Sequence, residues 1–218
     1  LLIAALSQGK SVLRGVLFSD DSRHFLQSLV SLGFPVEADE DNAVVTITGF
    51  GGKIPKTEAE IDVGSAGTAA RFLTAYLGLS KGNYHILSSE QMKKRPMQEL
   101  LTALEELGAE IAYDEECYHF PFTIGNDGVT RHEVTIDVDK SSQFLSALLI
   151  SAVLFKEDFH IHVKGTHGMA YVQMTIAMMR QFGVTVLEES PRDFCIPKEA
   201  AYEAQEYQIE PDVSAASY

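Results

Sequence analysis

The sequence predicts an α/β domain in which helices form the core and small sheets lie outside, arranged with pseudo-threefold symmetry. Three observations predict this fold class. One pattern of helix, glycine and strand recurs three times at intervals of 75 residues. Two helical segments carry no charged residue on any face. The strand-like segments alternate apolar and polar residues, which is typical of a sheet with one face in water.

The repeat is marked by Gly33, Gly108 and Gly183, each of which follows a helical pattern and precedes a strand. Each glycine is expected to end its helix in the left-handed conformation. Every copy also has an earlier helix followed by a strand. The unit is therefore helix, strand, helix, strand, strand over about 75 residues. Equal spacing of one unit indicates internal duplication, and we expect residues 1–218 to form a single domain of three repeats.

The earlier helices of the second and third copies are predicted to be buried. Residues 72–79 and 143–155 contain no Asp, Glu, Lys or Arg. A helix that is apolar on all sides belongs in a core rather than on the wet face of a sheet. Residues 44–48 and 159–163 alternate instead, so the sheets are expected to lie on the outside.

Composition limits the classes of partner. A formal net charge of −14 disfavours nucleic acid or an anionic membrane, so neither is expected. The chain has no run of about 18 apolar residues that would predict a membrane span. The first residues lack the basic start and the cleavage site of a signal peptide. Cys117 and Cys195 are two isolated cysteines that do not suggest a disulfide framework, so a cytoplasmic location is expected.

The segment GSAGTAARF, residues 64–72, places two glycines and Arg71 at the start of an apolar helix. Free N–H groups and the helix dipole make such a start attractive to anions, and glycine lets a ligand approach the backbone. Capping of the helix by Thr68 is the simpler explanation of the same residues. Both interpretations remain open from this segment alone.

The segment DKSSQFL, residues 139–145, repeats the design one unit later. Either Ser141 or Ser142 could cap the helix, and a cap needs one hydroxyl. The second hydroxyl, the amide of Gln143 and the ammonium of Lys140 exceed that need. Together they suit a phosphate or a polyhydroxyl ligand.

A third segment has three consecutive cations, Lys93, Lys94 and Arg95, before Pro96. Pro96 is predicted at the first position of the next helix. Cations at a helix start oppose the dipole, so a bound anion is one expected source of compensation. A solvated run of charges is the alternative.

His160 and His162 lie on the same face of a predicted strand and could bind a metal ion. No third ligand lies near them in the sequence. No metal site is therefore predicted from these residues.

The segments GSAGTAARF, MKKRPMQELLTALEELGAEI, SSQFLSALL and EPDVSAASY resemble, in order and spacing, the enolpyruvyl transferases, and among them the 5-enolpyruvylshikimate-3-phosphate synthase family. The resemblance covers essentially the whole chain. That family has two similar domains, each of three βαβαββ units, so the chain is expected to be one of the two. The resemblance implies transfer of the enolpyruvyl group of phosphoenolpyruvate to the 5-hydroxyl of shikimate 3-phosphate, by addition and elimination, without cofactor or metal.

The resemblance also implies roles for individual residues. Arg71 and Asp212 match positions near the crossover between the domains and are candidates for domain closure. The catalytic acid and base are expected on the second domain, so no catalytic residue is assigned here and the chain alone is expected to be inactive. The implied substrate contacts are Gly67, Thr68 and Arg95 with phosphoenolpyruvate, and Ser141, Ser142, Gln143 and Tyr171 with shikimate 3-phosphate.

Two alternatives remain open. The sister family transfers enolpyruvyl to UDP-N-acetylglucosamine and generally carries a reactive cysteine in the loop before the Arg-Pro pair. Residues 88–95 contain no cysteine, which disfavours that family. A non-catalytic module that binds anions is the second alternative.

Overall fold

The computed structural model describes residues 1–210. Within that range, none of the helices combines the length and the apolar character needed to cross a membrane. The helices are α1 (Leu2–Leu6), α2 (Asp20–Ser31), α3 (Gly67–Gly78), α4 (Glu90–Lys93), α5 (Gln98–Glu106), α6 (Gln143–Ser151) and α7 (Met169–Gln181). The strands are β1 (Gln8–Arg14), β2 (Val36–Asp39), β3 (Val44–Phe50), β4 (Glu58–Asp62), β5 (Gly82–Leu87), β6 (Glu110–Tyr113), β7 (Phe122–Asn126), β8 (Glu133–Asp137), β9 (Phe159–Lys164), β10 (Leu187–Ser190), β11 (Asp193–Ile196) and β12 (Glu206–Gln208).

The strands of residues 1–210 form three four-stranded sheets with one shared topology. Their orders are β12-β1-β3-β2, β4-β5-β7-β6 and β8-β9-β11-β10. In each sheet the first two strands are parallel and the remaining neighbours are antiparallel. The predicted threefold repeat is therefore confirmed, and each copy builds one sheet.

The glycines that mark the repeat end their helices as predicted. Gly33, Gly108 and Gly183 have φ values of 93°, 107° and 91° and follow α2, α5 and α7. An L-amino acid with a side chain is strained in this left-handed region, whereas glycine is not. The same turn therefore redirects the chain from helix to sheet in every copy.

The prediction of buried helices is also confirmed. All residues of α6 from 144 to 151 are buried, and α3 leaves only Thr68 and Phe72 partly or fully exposed. These two helices pack against each other in the core. The sheets lie outside them, with alternating burial along β3 and β9. The inside-out α/β architecture follows from this pairing of all-apolar helices with half-wet strands.

The end of α6 differs from the predicted helix, which extended through residue 155. The α-helix stops at Ser151, and a 3-10 turn follows over Ala152–Leu154. Phe155 is extended, and its ring stacks on that of Phe159 with 3.8 Å between the ring centroids. A stacked aromatic contact with the next strand therefore replaces the last helical turn.

The repeat unit predicted from the residue pattern, helix, strand, helix, strand, strand, omits one strand that the structure shows in every copy. The structure begins the second and third copies with β4 and β8, whose sequences EAEID and EVTID are short and acidic. Such segments have weak strand propensity, because acidic residues are depleted in sheets. The corresponding strand of the first copy is β12, which pairs in parallel with β1 from the far end of the chain. The resemblance had implied this βαβαββ order.

His85 is held on both sides by carboxylates in the middle sheet. Its Nδ1 lies 2.9 Å from Glu60 Oε2 on the neighbouring strand, and its Nε2 lies 2.9 Å from Asp114 Oδ2. The hydrogen bonds to Glu60 and then Asp114 raise the pKa of His85 above its ordinary value of 6.5. The contribution of this cluster to stability is therefore complete below about pH 6.5 and is lost as the pH rises through the higher pKa of the folded state.

The substitution His85→Gln is expected to make the free energy of unfolding less dependent on pH between about 6 and 8, because the native state no longer holds an extra proton there. Urea denaturation across that range measures the effect. His119→Gln, at a half-buried histidine elsewhere in the chain, is the control. An unchanged pH slope in the His85 variant would show that the two carboxylates do not retain the proton.

Candidate functional site

An open cleft of about 550 Å³ lies between α6, the first turns of α7 and the turn at Arg95. A neighbouring cavity of about 310 Å³ is lined almost entirely by apolar side chains and shares Phe72 with the cleft. The polar and cationic groups lie in the larger cleft, so we take it as the candidate site. Residues predicted from sequence that line it are Arg95, Lys140, Ser141, Ser142, Gln143 and Tyr171.

Two guanidinium groups converge on Gly67 in the first turn of α3. A Cβ atom at this position would lie 2.5 Å from Arg95 Nη1 and 2.8 Å from Arg71 Nη1, so only glycine leaves room for both. The N-cap residue of α3 is Ala66, which has no side-chain oxygen to accept from the first N–H groups. The positive end of a helix dipole and two cations therefore lie at one point.

Arg71 is buried, with 2% of its surface exposed, and its hydrogen-bond acceptors are neutral. It donates to Gln143 Oε1 at 2.9 Å, to the Pro96 carbonyl at 3.1 Å and to the Gly67 carbonyl at 3.3 Å. Its guanidinium also lies over the ring of Phe144, 5.5 Å from the centroid. Arg71 thus connects α3, α6 and the turn before α5 through one side chain.

The electrostatics of this cluster favour an anion. Desolvation, and then the nearby charge of Arg95, lower the pKa of Arg71 to about 10, so Arg71 stays protonated at neutral pH. Within the described residues 1–210, neither guanidinium forms an ion pair with a carboxylate. Burial of an ion without a counter-charge is costly, and a second like charge adds to that cost. A bound anion would offset both the cost of burying Arg71 and the repulsion between the two guanidinium groups.

Gln143 joins two segments that lie 75 residues apart. Its amide oxygen accepts from Arg71, and its amide nitrogen donates to Thr68 Oγ1 at 3.1 Å. Capping of α3 by Thr68 is therefore wrong, since Thr68 is the second residue of the helix and its hydroxyl bonds to α6. The amide fixes the starts of the two buried helices side by side.

The two serines before α6 differ in their surroundings. Ser141 Oγ accepts from the Gln143 backbone N–H at 3.3 Å. Ser142 is the N-cap residue, but its side chain makes no capping hydrogen bond. Ser142 is largely buried and lines the cleft. Ser141 thus helps to cap the helix and Ser142 makes no capping bond, and the binding of a ligand by either hydroxyl stays a prediction.

The lysines are less available than the sequence indicated. Lys140 Nζ lies 2.7 Å from Glu99 Oε1, and Lys93 Nζ lies 3.0 Å from Glu90 Oε1. Their charges are therefore directed at carboxylates. Arg95 is the member of the triple run that reaches the start of α3.

The position of Pro96 differs from the prediction. The helix α5 begins at Gln98 with Met97 as its N-cap, so Pro96 precedes the helix instead of occupying its first position. Lys93 lies in the last turn of the short helix α4, where a cation complements the dipole. The three cations therefore do not oppose the dipole of α5 in the way that the sequence suggested.

The remaining predicted residues have different positions. Tyr171 lies at the edge of the cleft in the first turn of α7, with 68% of its surface exposed. The Nη1 and Nη2 atoms of the buried Arg71 have their acceptors within residues 1–210, whereas its Nε makes no hydrogen bond there, and its role in domain closure remains a prediction. Asp212 lies outside the described residues.

Sequence reasoning missed part of the cleft. Thr175 Oγ1 donates to Ser146 Oγ at 2.9 Å, which joins α7 to α6 along the cleft wall. His167 lines the cleft just before α7. Thr175 lies one turn after Tyr171, so helical spacing from a predicted site residue could have found it.

Comparison with known proteins identifies similar chains. The family model for EPSP synthase (3-phosphoshikimate 1-carboxyvinyltransferase) matches residues 1–218. The 3-phosphoshikimate 1-carboxyvinyltransferase of Nostoc punctiforme is 38% identical over 219 residues, and that of a Sulfurovum species is 41% identical over 221 residues. Each comparison covers 100% of this chain but only 51% and 52% of the relatives. The chain thus spans about half the length of the curated relatives it matches.

Solved structures show the same fold. The EPSP synthase of Acinetobacter baumannii superposes with a TM-score of 0.82 at 24% identity, covering 99% of this chain and 47% of that one. The enolpyruvyl transferase NikO of Streptomyces tendae superposes with a TM-score of 0.65 at 12% identity, covering 99% and 49%. At these identities the superpositions establish the fold.

The substitution Gln143→Ala is expected to lower the free energy of unfolding by about 1–3 kcal/mol, because Arg71 loses an acceptor in a buried place. Urea denaturation measures the change. Gln98→Ala, at an exposed glutamine that begins α5, is the matched control and should change stability by less than about 0.5 kcal/mol. Equal effects of the two substitutions would mean that the amide bridge does not stabilise the domain.

Proposed function

The chain belongs to the EPSP synthase (3-phosphoshikimate 1-carboxyvinyltransferase) family, and from this membership we propose that it is one domain of an enzyme that transfers the enolpyruvyl group of phosphoenolpyruvate to the 5-hydroxyl of shikimate 3-phosphate. The observation that carries the proposal is the pair of guanidinium groups of Arg71 and Arg95 at the start of α3, joined through Gln143 to the serines of α6. Both proposed substrates are anions, and this arrangement offers two adjoining places for anionic groups.

The start of α3 is the proposed site of phosphoenolpyruvate. Gly67 and Thr68 offer backbone N–H groups of an uncapped first turn, and Arg95 supplies a charge close to them. Hydrogen bonds between a guanidinium and a carboxylate or phosphate are short and strong. Because Arg71 donates hydrogen bonds to Gln143 Oε1 and to the Pro96 carbonyl, the position of its charge is fixed before the substrate binds. A site of this kind needs little reorganisation on binding.

The start of α6 is the proposed site of shikimate 3-phosphate. Ser142 carries the hydroxyl that is free of capping, and Ser141 and Gln143 flank it. The phosphate is proposed to bind the serine hydroxyls at the helix start, where the dipole favours negative charge. Tyr171 lies across the cleft and is proposed to cover the cyclohexene ring. The amide of Gln143 then lies between the two substrates.

The proposed reaction needs the two substrates held in contact. The 5-hydroxyl loses its proton as its oxygen adds to C2 of phosphoenolpyruvate, while C3 gains a proton. The tetrahedral intermediate then loses inorganic phosphate from C2 and a proton from C3, which restores the C2–C3 double bond. Two anions held side by side repel each other, and the cations Arg71 and Arg95 at the start of α3 reduce this repulsion. The residues of this domain therefore bind and orient the substrates.

Proton transfer is assigned to the second domain. The chain covers about half of its curated relatives, which supports a two-domain enzyme that closes around its substrates. We propose, from the resemblance, that Arg71 and Asp212 take part in domain closure near the crossover between the two domains. The single domain 1–218 should then bind ligand weakly and leave it unreacted. A cytoplasmic location is part of the same proposal and rests on the biosynthetic activity of the relatives.

Addition of shikimate 3-phosphate to the purified chain is expected to shift the backbone amide NMR signals of Ser141, Ser142, Gln143 and Arg95. UDP-N-acetylglucosamine, added in parallel, should leave them in place. Saturable shifts with the nucleotide sugar instead would favour the sister transferase. Shifts with both ligands, and equally with inorganic phosphate, would favour a general anion-binding module.

A variant pair sharpens this experiment. Arg95→Ala should weaken the binding of phosphoenolpyruvate by roughly tenfold to a hundredfold, which corresponds to the loss of a hydrogen bond with a charged group. Arg192→Ala, at an exposed arginine outside the cleft, should not change it. Release of phosphate from phosphoenolpyruvate and shikimate 3-phosphate by the chain alone would contradict the assignment of proton transfer to another domain.

A further inference from the structure

We propose that His160, Glu189 and Cys195 form a binding site for a zinc-type divalent cation on the third sheet, independent of the proposed function. One ligand atom from each residue lies within 4.8 Å of the other two. The sequence showed only the two histidines of β9 and predicted no metal, because the other two ligands come from strands that follow about 30 residues later. The fold brings Glu189 and Cys195 next to His160, which the spacing in the sequence could not show.

Strand pairing brings the thiol and the imidazole together. β9 and β11 are antiparallel, and Cys195 lies directly opposite His160. Directly opposed residues of antiparallel strands have side chains on the same face. The Cys195 Sγ atom lies 4.0 Å from His160 Nε2. The two softest ligands of the site are thus fixed by backbone hydrogen bonds on neighbouring strands.

A β-bulge supplies the carboxylate. The pairing between β10 and β11 shifts at Glu189, because Glu188 pairs with Phe194 whereas Ser190 pairs with Asp193. An extra residue in one strand redirects its side chain. Glu189 is the residue at this shift that has no paired partner, and its Oε2 atom lies 3.7 Å from His160 Nδ1.

The distances and the ligand types fit zinc. Tetrahedral coordination with Zn–N and Zn–O distances of about 2.0–2.2 Å and Zn–S of about 2.3 Å separates ligand atoms by about 3.5 Å. Glu189 Oε2 lies 3.7 Å from His160 Nδ1, whereas Cys195 Sγ lies 4.0 Å from His160 Nε2, so side-chain rotations must bring both ligands to the same ring nitrogen. One ligand atom of each residue already lies within 4.8 Å of the other two. A thiolate, an imidazole and a carboxylate leave the fourth position to water. The imidazole nitrogen that does not coordinate remains free for an outer hydrogen bond.

The surroundings favour a cation and give it access. Glu133 lies opposite His160 on β8, and a surface hollow lined by Arg131, His132, Glu133 and His160 opens beside the imidazole. Asp158 also lies near the Cys195 thiol.

Cobalt(II) is the probe for the test, since it takes zinc sites and reports thiolate coordination by a charge-transfer absorption in the near ultraviolet. Addition of Co²⁺ to the reduced 218-residue chain should produce this absorption, and Zn²⁺ should abolish it. Cys195→Ser should lose the absorption. Cys117→Ser, which removes the exposed thiol, and His162→Gln, which removes the next imidazole on the same strand, should retain it.

Because Cys195 is buried, the test also uses variants of the other two proposed ligands. His160→Gln and Glu189→Gln change residues that are partly or fully exposed, so both variants are expected to fold. Each should weaken Co²⁺ binding by on the order of 100-fold, because even outer-shell substitutions cost about 10–100-fold in affinity. Absence of the charge-transfer band in the unmodified chain, or unchanged affinity in both of these variants, would overturn the proposal.

Discussion

A protonated guanidinium that is buried among apolar helices must be matched by acceptors or by an anion, since desolvation of an ion costs several kcal/mol. Arg71 meets this constraint with the carbonyls of Gly67 and Pro96 and the amide of Gln143. Each acceptor comes from a different part of the chain. The side chain therefore fixes the relative positions of α3, α6 and the turn that carries Arg95, and the cleft is what remains between them.

The inside-out architecture makes this arrangement possible. Because α3 and α6 are surrounded by protein on nearly all sides, their starts are the places where their backbone N–H groups can meet a ligand. The sheets lie outside the helices. The helix α3 is connected to β4 and β5 of one sheet, and α6 is connected to β8 and β9 of another. The two helix starts belong to different copies of the repeat, so internal duplication has placed two helix starts with different side chains next to each other. The Gln143 amide, which contacts Arg71 and Thr68, lies at their junction.

The charged groups near the cleft differ in whether they have an ion-pair partner. The chain is strongly acidic, with a formal net charge of −14, yet Arg95, which lines the cleft, and the buried Arg71 next to it have no carboxylate partner among residues 1–210. The lysines near the cleft are different, because Lys140 and Lys93 lie against Glu99 and Glu90. The same segments thus contain cations that are neutralised locally and cations whose charge is directed at the site.

The sequence by itself determined the threefold repeat, the burial of α3 and α6 and the segments that line the cleft. These features depend on local rules, since the glycine that ends a helix, the uncharged helix and the alternating strand are each visible within a few turns of chain. Tertiary structure decided which groups meet. The bond from Gln143 to Thr68, the pairing of Lys140 with Glu99 and the return of β12 to β1 join residues far apart in sequence. The convergence of His160, Glu189 and Cys195 depends likewise on strand register and a bulge. Such contacts are set by the packing of the whole domain, and no local pattern of residues specifies them.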